Sequence, residues 1–186
     1  MHDLDEVLAT CIGIFERLKV PYIVMEGLAV RLLGIPRPTF DVDLAITISR
    51  DRLAVLYDEL DAAGFDVPEA YRGGRVDEVA GMPLVKFKLY IGGRGIDADI
   101  FLAETRFQQE MMRRRKSDEL WGMSVWLATA EDLILLKLLA HRPRDLGDVA
   151  DIRAVQGELD ERYMRTWAIE LGIQDRLESI LSEPPL

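Results

Sequence analysis

A clear alternation of apolar residues with mostly polar ones runs through positions 41–48. Val42, Leu44, Ile46 and Ile48 fall on one side, and Asp41, Asp43, Ala45 and Thr47 fall on the other. Side chains of successive strand residues point to opposite faces of a sheet, so this pattern predicts a strand with one face on the core. The opposite face of that strand then presents two aspartates.

Helical spacing of apolar residues predicts a helix over 3–18 that ends before Pro21. The same criterion, together with cap and stop residues, predicts four more helices and further helices from residue 145 onward. These four are expected over 27–33, 51–63, 104–116 and 130–141.

Short apolar runs predict two more strands, over 22–25 and 123–127. Residues 84–90 and 96–102 flank the glycine-rich segment 92–95, which is typical of an antiparallel hairpin. Helices and strands in this order predict an α+β fold with a mixed β-sheet flanked by helices.

The composition fits one domain over residues 1–186, with a core of about 20–127 and a helical C-terminal part of about 128–186. Of the 186 residues, 49% are hydrophobic, which is enough to build a core. No apolar stretch has the length of a membrane span, and the acidic N-terminus lacks the basic segment of a secretory signal. We therefore expect a cytoplasmic protein that does not enter a membrane. The sequence does not indicate its oligomeric state.

The net charge of −10 argues against broad, nonspecific binding of nucleic acids, because an acidic surface repels phosphate backbones. A partner that is a small molecule or a protein is therefore favoured slightly over a polynucleotide.

Asp-x-Asp is a weak signal in a chain this rich in aspartate. It occurs three times, at 3/5, 41/43 and 97/99. The context favours Asp41 and Asp43, which begin a predicted strand and share a face about 6.5–7 Å apart. Two carboxylates at that distance repel each other unless a cation lies between them, and Mg²⁺ prefers such oxygen ligands.

Asp97 and Asp99 share a face of a second predicted strand. If the two strands are neighbours, a third carboxylate joins Asp41 and Asp43, and three carboxylates can bind two metal ions. The alternative is that both pairs are ordinary solvent-facing aspartates on amphipathic strands.

Glu26-Gly27 lies between a predicted strand and a predicted helix. Gly27 at a helix N-terminus would let a phosphate approach free backbone N–H groups, although a simple strand-to-helix turn explains it equally well. Arg37 and Thr39, in the loop before residue 41, are positioned to contact phosphate or to orient a carboxylate.

Lys137 is isolated on an apolar helix. Burial of a lysine is costly without a partner, so we expect it to reach a carboxylate or a triphosphate; the alternative is a surface lysine with only its stem buried. Asp145 and Asp148 share a helix face and can pair with Arg142 or Arg144.

The segments 24–29 and 34–43, with Gly27 and Arg37-Pro38-Thr39 before Asp41-x-Asp43, resemble the nucleotidyltransferases of the DNA polymerase beta superfamily. More narrowly, they resemble the bacterial abortive-infection type, which includes toxins of type IV toxin–antitoxin systems. The segment 98–102 is similar to the strand that carries the third carboxylate, and 131–148 is similar to the lysine-bearing helix and its continuation.

This resemblance implies a nucleotidyltransferase that uses a nucleoside triphosphate such as ATP and two Mg²⁺ ions. Asp41, Asp43 and Asp99 would be the catalytic and metal-binding residues, with Asp97 as the alternative to Asp99. The implied nucleotide-binding residues are Gly27, Arg37, Thr39 and Lys137. Expected partners are a tRNA or protein acceptor and a cognate antitoxin.

The chain departs from the family at Glu26, where the family usually has glycine. A carboxylate beside a bound triphosphate opposes it electrostatically. A catalytically degenerate nucleotidyltransferase-fold binding protein therefore stays open as an alternative. A metal-dependent phosphate-ester hydrolase stays open as well, since the same carboxylates could activate water.

Overall fold

The computed structural model describes residues 2–182. Helices pack against a mixed sheet whose strand order is β3-β5-β6-β2-β1-β8-β7, with β4 paired to β5. The strands are β1 (Tyr22–Val24), β2 (Asp41–Ile46), β3 (Phe65–Asp66), β4 (Asp77–Val79), β5 (Met82–Ile91), β6 (Arg94–Leu102), β7 (Lys116–Leu120) and β8 (Met123–Leu127).

The helices before β7 are α1 (His2–Leu18), α2 (Glu26–Leu33), α3 (Leu53–Ala62, preceded by the short 3₁₀ helix Arg50–Arg52), α4 (Glu69–Arg72) and α5 (Arg106–Arg114). The helices after β8 are α6 (Ala130–Ala140), α7 (Pro143–Val155), α8 (Glu161–Glu170) and α9 (Gln174–Leu181). In the part of the chain described, no helix is both long and apolar enough to cross a membrane.

The sheet combines parallel and antiparallel pairs, and the predicted α+β fold with a mixed sheet is confirmed. Strand β2 lies at its centre, antiparallel to β1 and parallel to β6. Strands β5 and β6 form the predicted antiparallel hairpin, which is longer than expected because pairing continues to Ile91 and Arg94. Gly92 and Gly93 form its two-residue turn with φ of 55° and 82°, values that favour glycine.

Four short elements were not predicted from the sequence, namely β3, α4, β4 and β7. The predicted helix over 104–116 ends at Arg114, and Lys116 begins β7 instead. Strand β7 lies at the sheet edge and is mostly exposed, so it carries charged residues rather than an alternating apolar pattern. Pairing with β8, rather than local sequence preference, makes it a strand.

Helix α6 is buried on almost all sides. Leu133, Leu135, Leu136 and Leu138 are each at most 1% exposed, and Lys137 among them is fully buried. The helix is capped by Thr129, whose hydroxyl accepts from the Asp132 backbone N–H at 3.3 Å. A charged residue in so apolar a helix requires partners, and these define one side of the site.

Candidate active site

The predicted carboxylates lie side by side on neighbouring strands. The parallel register of β2 and β6 pairs Asp43 with Asp99 and Asp41 with Asp97. Directly opposite residues share a sheet face, and adjacent strands are about 4.8 Å apart. The condition that these two strands be neighbours is therefore met.

The four carboxylates differ in their immediate partners. Asp41 Oδ1 accepts from the Thr39 hydroxyl at 2.9 Å, and Asp99 Oδ2 accepts from Lys86 Nζ at 2.6 Å. Asp97 pairs with Lys88 at 3.0 Å. Within residues 2–182, by contrast, no group donates a hydrogen bond to the Asp43 carboxylate and no cation forms an ion pair with it.

The ionised form of the Asp43 side chain is consequently disfavoured. Burial raises its pKa well above the usual range, and the negative charges of Asp41, Glu26 and Asp99 raise it further. A divalent cation at this point would reverse that effect by favouring the ionised form.

In the described range 2–182, no three acidic, histidine or cysteine side chains converge as a finished metal site. Asp99 Oδ2 is instead occupied by the Lys86 ammonium. The oxygen ligands and uncompensated charge of Asp41 and Asp43 nevertheless suit a hard divalent cation such as Mg²⁺. We conclude that these two residues fit such an ion.

Gly27 lies in the first turn of α2, and its role in the structure is steric. A Cβ added to Gly27 would lie 2.4 Å from Thr39 Oγ1 and 2.9 Å from Thr39 Cβ. The absence of a side chain therefore lets Thr39 approach the helix and hold Asp41. This contact does not test the predicted phosphate-binding role of Gly27 and Thr39.

Gly27→Ala is expected to destabilise the protein by about 1–3 kcal/mol, because an overpacked contact must be relieved by moving Thr39. The matched control is Gly147→Ala in α7, where an added Cβ would meet nothing within 4 Å. That change should stabilise by about 0.5–1 kcal/mol, since alanine is the better helix former. Urea denaturation of both variants measures the difference, and equal effects of the two changes would contradict this assignment.

A network of charges lies beside the N-terminus of α2. Lys137 Nζ donates to Glu26 Oε2 and lies 2.9 Å from Asp148 and 3.3 Å from Asp145. Arg142 bridges Glu26 and Asp145 at 2.9 and 2.7 Å. Lys137 is fully buried, which excludes the alternative of a surface lysine.

Arg37 belongs to the same network. Its guanidinium donates two hydrogen bonds to Asp148, of 2.5 and 2.7 Å. Burial alone would lower the pKa of Lys137, but Glu26 and Asp148 outweigh it and raise that pKa. Both cations that we predicted to contact a triphosphate are thus bound to carboxylates, and their contact with nucleotide stays a prediction.

Lys137→Met is expected to destabilise the protein by about 3–5 kcal/mol, because three carboxylates would lose their shared buried cation. The control, Lys88→Met, removes a lysine whose side chain is 39% exposed and should change stability by less than about 1 kcal/mol. Denaturant titrations of the two variants check this, and a Lys137→Met protein as stable as the control would refute the buried role.

Neither the contact of Lys86 with Asp99 nor that of Arg142 with Glu26 was predicted from the sequence. A signal for Lys86 was present, since a turn at Gly92-Gly93 pairs positions that lie symmetrically about it. This symmetry places Lys86 opposite Asp99 and Lys88 opposite Asp97. No comparable local rule connects residue 26 to residue 142.

Solved structures with the same fold are nucleotidyltransferases or nucleotidyltransferase-like proteins. An antigenic nucleotidyltransferase-like protein from Paracoccidioides brasiliensis is 20% identical with a TM-score of 0.52, over 94% of this chain and 91% of that one. The lincosamide antibiotic adenylyltransferase LnuA, bound to lincomycin, is 16% identical with a TM-score of 0.51, over 80% and 96%.

The antibiotic-resistance factor ANT(2'')-Ia in its solution structure is 15% identical with a TM-score of 0.51, over 95% of this chain and 92% of that one. No protein-family model and no curated protein matches the sequence. The predicted nucleotidyltransferase fold is thereby confirmed, while the narrower resemblance to abortive-infection toxins stays a prediction.

Proposed function

Starting from this fold, we propose that the chain is a nucleotidyltransferase that transfers a nucleoside monophosphate from a nucleoside triphosphate to an acceptor hydroxyl, with Mg²⁺ as cofactor. The observation that carries the proposal is the register of Asp43 against Asp99 on neighbouring strands. The same site adjoins α2, because the Met25 N–H, just before this helix, donates to the Asp43 carbonyl at 3.0 Å.

The reaction joins the acceptor oxygen to the α-phosphorus of the triphosphate and breaks the bond from that phosphorus to the pyrophosphate oxygen. Asp41 and Asp43 would hold the cation, and Asp99 would accept the proton of the acceptor hydroxyl. When bound, Mg²⁺ supplies Lewis-acid stabilisation of the phosphoryl charge. Lys137 and Arg142 would balance charge on the departing pyrophosphate once Glu26 releases them.

The acceptor class follows from charge and resemblance. LnuA is named as an adenylyltransferase of lincosamide antibiotics, and ANT(2'')-Ia is named as an antibiotic-resistance factor. The sequence resemblance points instead to tRNA or a protein hydroxyl. The net charge of −10 disfavours a long polyanion. We place a protein or small-molecule hydroxyl ahead of tRNA, and we place a cognate antitoxin among the proposed partners.

The test incubates the protein and Mg²⁺ with each α-³²P-labelled nucleoside triphosphate and, separately, bulk tRNA, a protein lysate and a panel of hydroxyl-bearing antibiotics. Label joined to one acceptor class supports transfer and names the acceptor. Release of free nucleotide alone would instead support a phosphate-ester hydrolase.

A second candidate function is nucleotide binding without transfer. It is favoured by the Glu26 carboxylate, which already pairs with Lys137 and Arg142 where a triphosphate would need them. Saturable nucleotide binding with no labelled product in any arm of the assay would establish this function over transfer.

A further inference from the structure

Two rows of charged side chains cross three neighbouring strands on the carboxylate face of the sheet. In the first row, Lys86 on β5 lies opposite Asp99 on β6, which lies opposite Asp43 on β2. In the second row, Lys88, Asp97 and Asp41 follow the same order. The backbone register fixes each lysine beside the aspartate of the middle strand.

The ion pairs follow these rows. Lys86 lies 2.6 Å from Asp99, and Lys88 lies 3.0 Å from Asp97. Glu26, which also acts electrostatically on Asp43, is paired with Lys137 and Arg142. Over residues 2–182, Asp41 and Asp43 are therefore the two acids of this group that form no ion pair.

Without nucleotide, a charge count indicates how many cations the side chains of the site can hold. Asp41, Asp43 and Asp99 together carry three negative charges, and Lys86 supplies one positive charge. One divalent cation completes the balance, whereas two would leave an excess of positive charge beside the ammonium. Like charges a few ångströms apart repel by about 1–4 kcal/mol in a partly solvated site.

We propose that the nucleotide-free site binds one divalent cation, through Asp41 and Asp43, and that the Lys86 ammonium takes the place of a second cation at Asp99. Lys86 is thus a positioning residue, which holds the Asp99 carboxylate through its ion pair. This inference rests on the proposed function and narrows the two ions that the family resemblance implies to one that is held by the protein side chains alone.

Lys86 is well placed for this role because its backbone lies directly opposite that of Asp99. Its strand pairs with β6 from Leu84 to Ile91, which fixes the lysine backbone directly opposite the aspartate. The Asp99 side chain is only 20% exposed, so solvent screens the pair less than it screens Lys88 with the 57% exposed Asp97. Lys88 is therefore a matched control that differs mainly in burial of its partner.

The experiment titrates the full-length protein with Mn²⁺ and follows free Mn²⁺ by electron paramagnetic resonance. The wild-type protein should bind one ion per chain, and Lys86→Met should bind two, because Asp99 then lacks a cation. Lys88→Met and the charge-retaining Lys86→Arg should each bind one. Thermal melting of every variant confirms that the fold is intact.

Two bound ions in the wild-type protein, or one in Lys86→Met, would overturn this inference and leave the proposed function standing. If the wild-type protein bound no ion, the metal site would be removed both from this inference and from the proposed function. Loss of the ion in Asp43→Asn is expected, and its retention would show that the ion lies elsewhere and would also overturn the inference.

Discussion

Asp43→Asn is expected to reduce nucleotidyl transfer by at least about 1,000-fold, which corresponds to roughly 4 kcal/mol of lost transition-state stabilisation. Asparagine keeps the shape of the side chain but removes the charge that would hold a divalent cation. Steady-state rates with the acceptor identified in the labelling assay provide the measurement. A variant that keeps more than a tenth of the activity would contradict the role of Asp43.

The same substitution should raise the thermal stability of the metal-free protein at neutral pH. Burial and the acids Asp41, Glu26 and Asp99 raise the pKa of Asp43, so its ionised form is disfavoured in the folded state. A gain of 1 kcal/mol would raise Tm by about 2–4 °C in a chain of this length.

The contribution of Asp43 to folding stability depends on pH with a definite sign. A raised folded-state pKa makes the folded state bind the proton more tightly than the unfolded chain. The stability that this contributes is fully present below the unfolded-state pKa and is lost as pH rises through the raised pKa. The melting difference between Asp43→Asn and wild type should therefore grow with rising pH and vanish in acid. Melts in a chelating buffer over a pH series check this.

Two neighbouring substitutions separate the third carboxylate from its alternative. Asp99→Asn should lose most activity, because it removes the proposed acceptor of the hydroxyl proton. Asp97→Asn should keep most of it, since the Asp97 side chain is 57% exposed and held by Lys88. If Asp97→Asn lost most activity and Asp99→Asn kept it, the third carboxylate of the site would be Asp97.

Glu26→Gly is expected to tighten nucleoside triphosphate binding about tenfold or more, equivalent to roughly 1.4 kcal/mol. Glu26 pairs with Lys137 and Arg142, so a triphosphate must displace its carboxylate before it can use either cation. Removal of the acid also removes a negative charge from the phosphate side of the site. Isothermal titration of ATP into both proteins measures the change.

Glycine also suits the backbone at this position. Glu26 has a φ of 49°, a left-handed conformation that side chains disfavour and glycine adopts freely. Glu26→Gln is the matched control, because it removes the charge and keeps the strained conformation. Lys137 retains Asp145 and Asp148 in both variants, so the fold should survive.

Tighter binding in both variants assigns the effect to charge, and tighter binding in the glycine variant alone assigns it to the backbone. Weaker binding in Glu26→Gly would show that Glu26 assists the nucleotide rather than opposing it.

Local periodicity was enough to predict the central strand and the hairpin. The alternation around Asp41 and Asp43 gave β2, and Gly92-Gly93 gave the turn between β5 and β6. The pairing of β2 with β6 was predicted only as a condition, because strands that are distant in sequence carry no mutual signal in one chain. That pairing decides whether Asp99 can join the site.

The charge network beside α2 illustrates what local sequence cannot reveal. Lys137 was expected to meet a carboxylate or a triphosphate, but the choice of Glu26 depends on how α6 packs against α2. The edge strand β7 was missed for a related reason, since its charged sequence forms a strand only through β8. Both features are set by tertiary contacts.

The most direct test of the central claim compares ATP labelled at the α-phosphate with ATP labelled at the γ-phosphate. With Mg²⁺ and the acceptor identified in the labelling assay, we expect the α-label to join the acceptor and the γ-label to leave as pyrophosphate. The double variant Asp41→Asn/Asp43→Asn should do neither. Transfer of γ-label to the acceptor, or α-label transfer undiminished in the double variant, would contradict that claim.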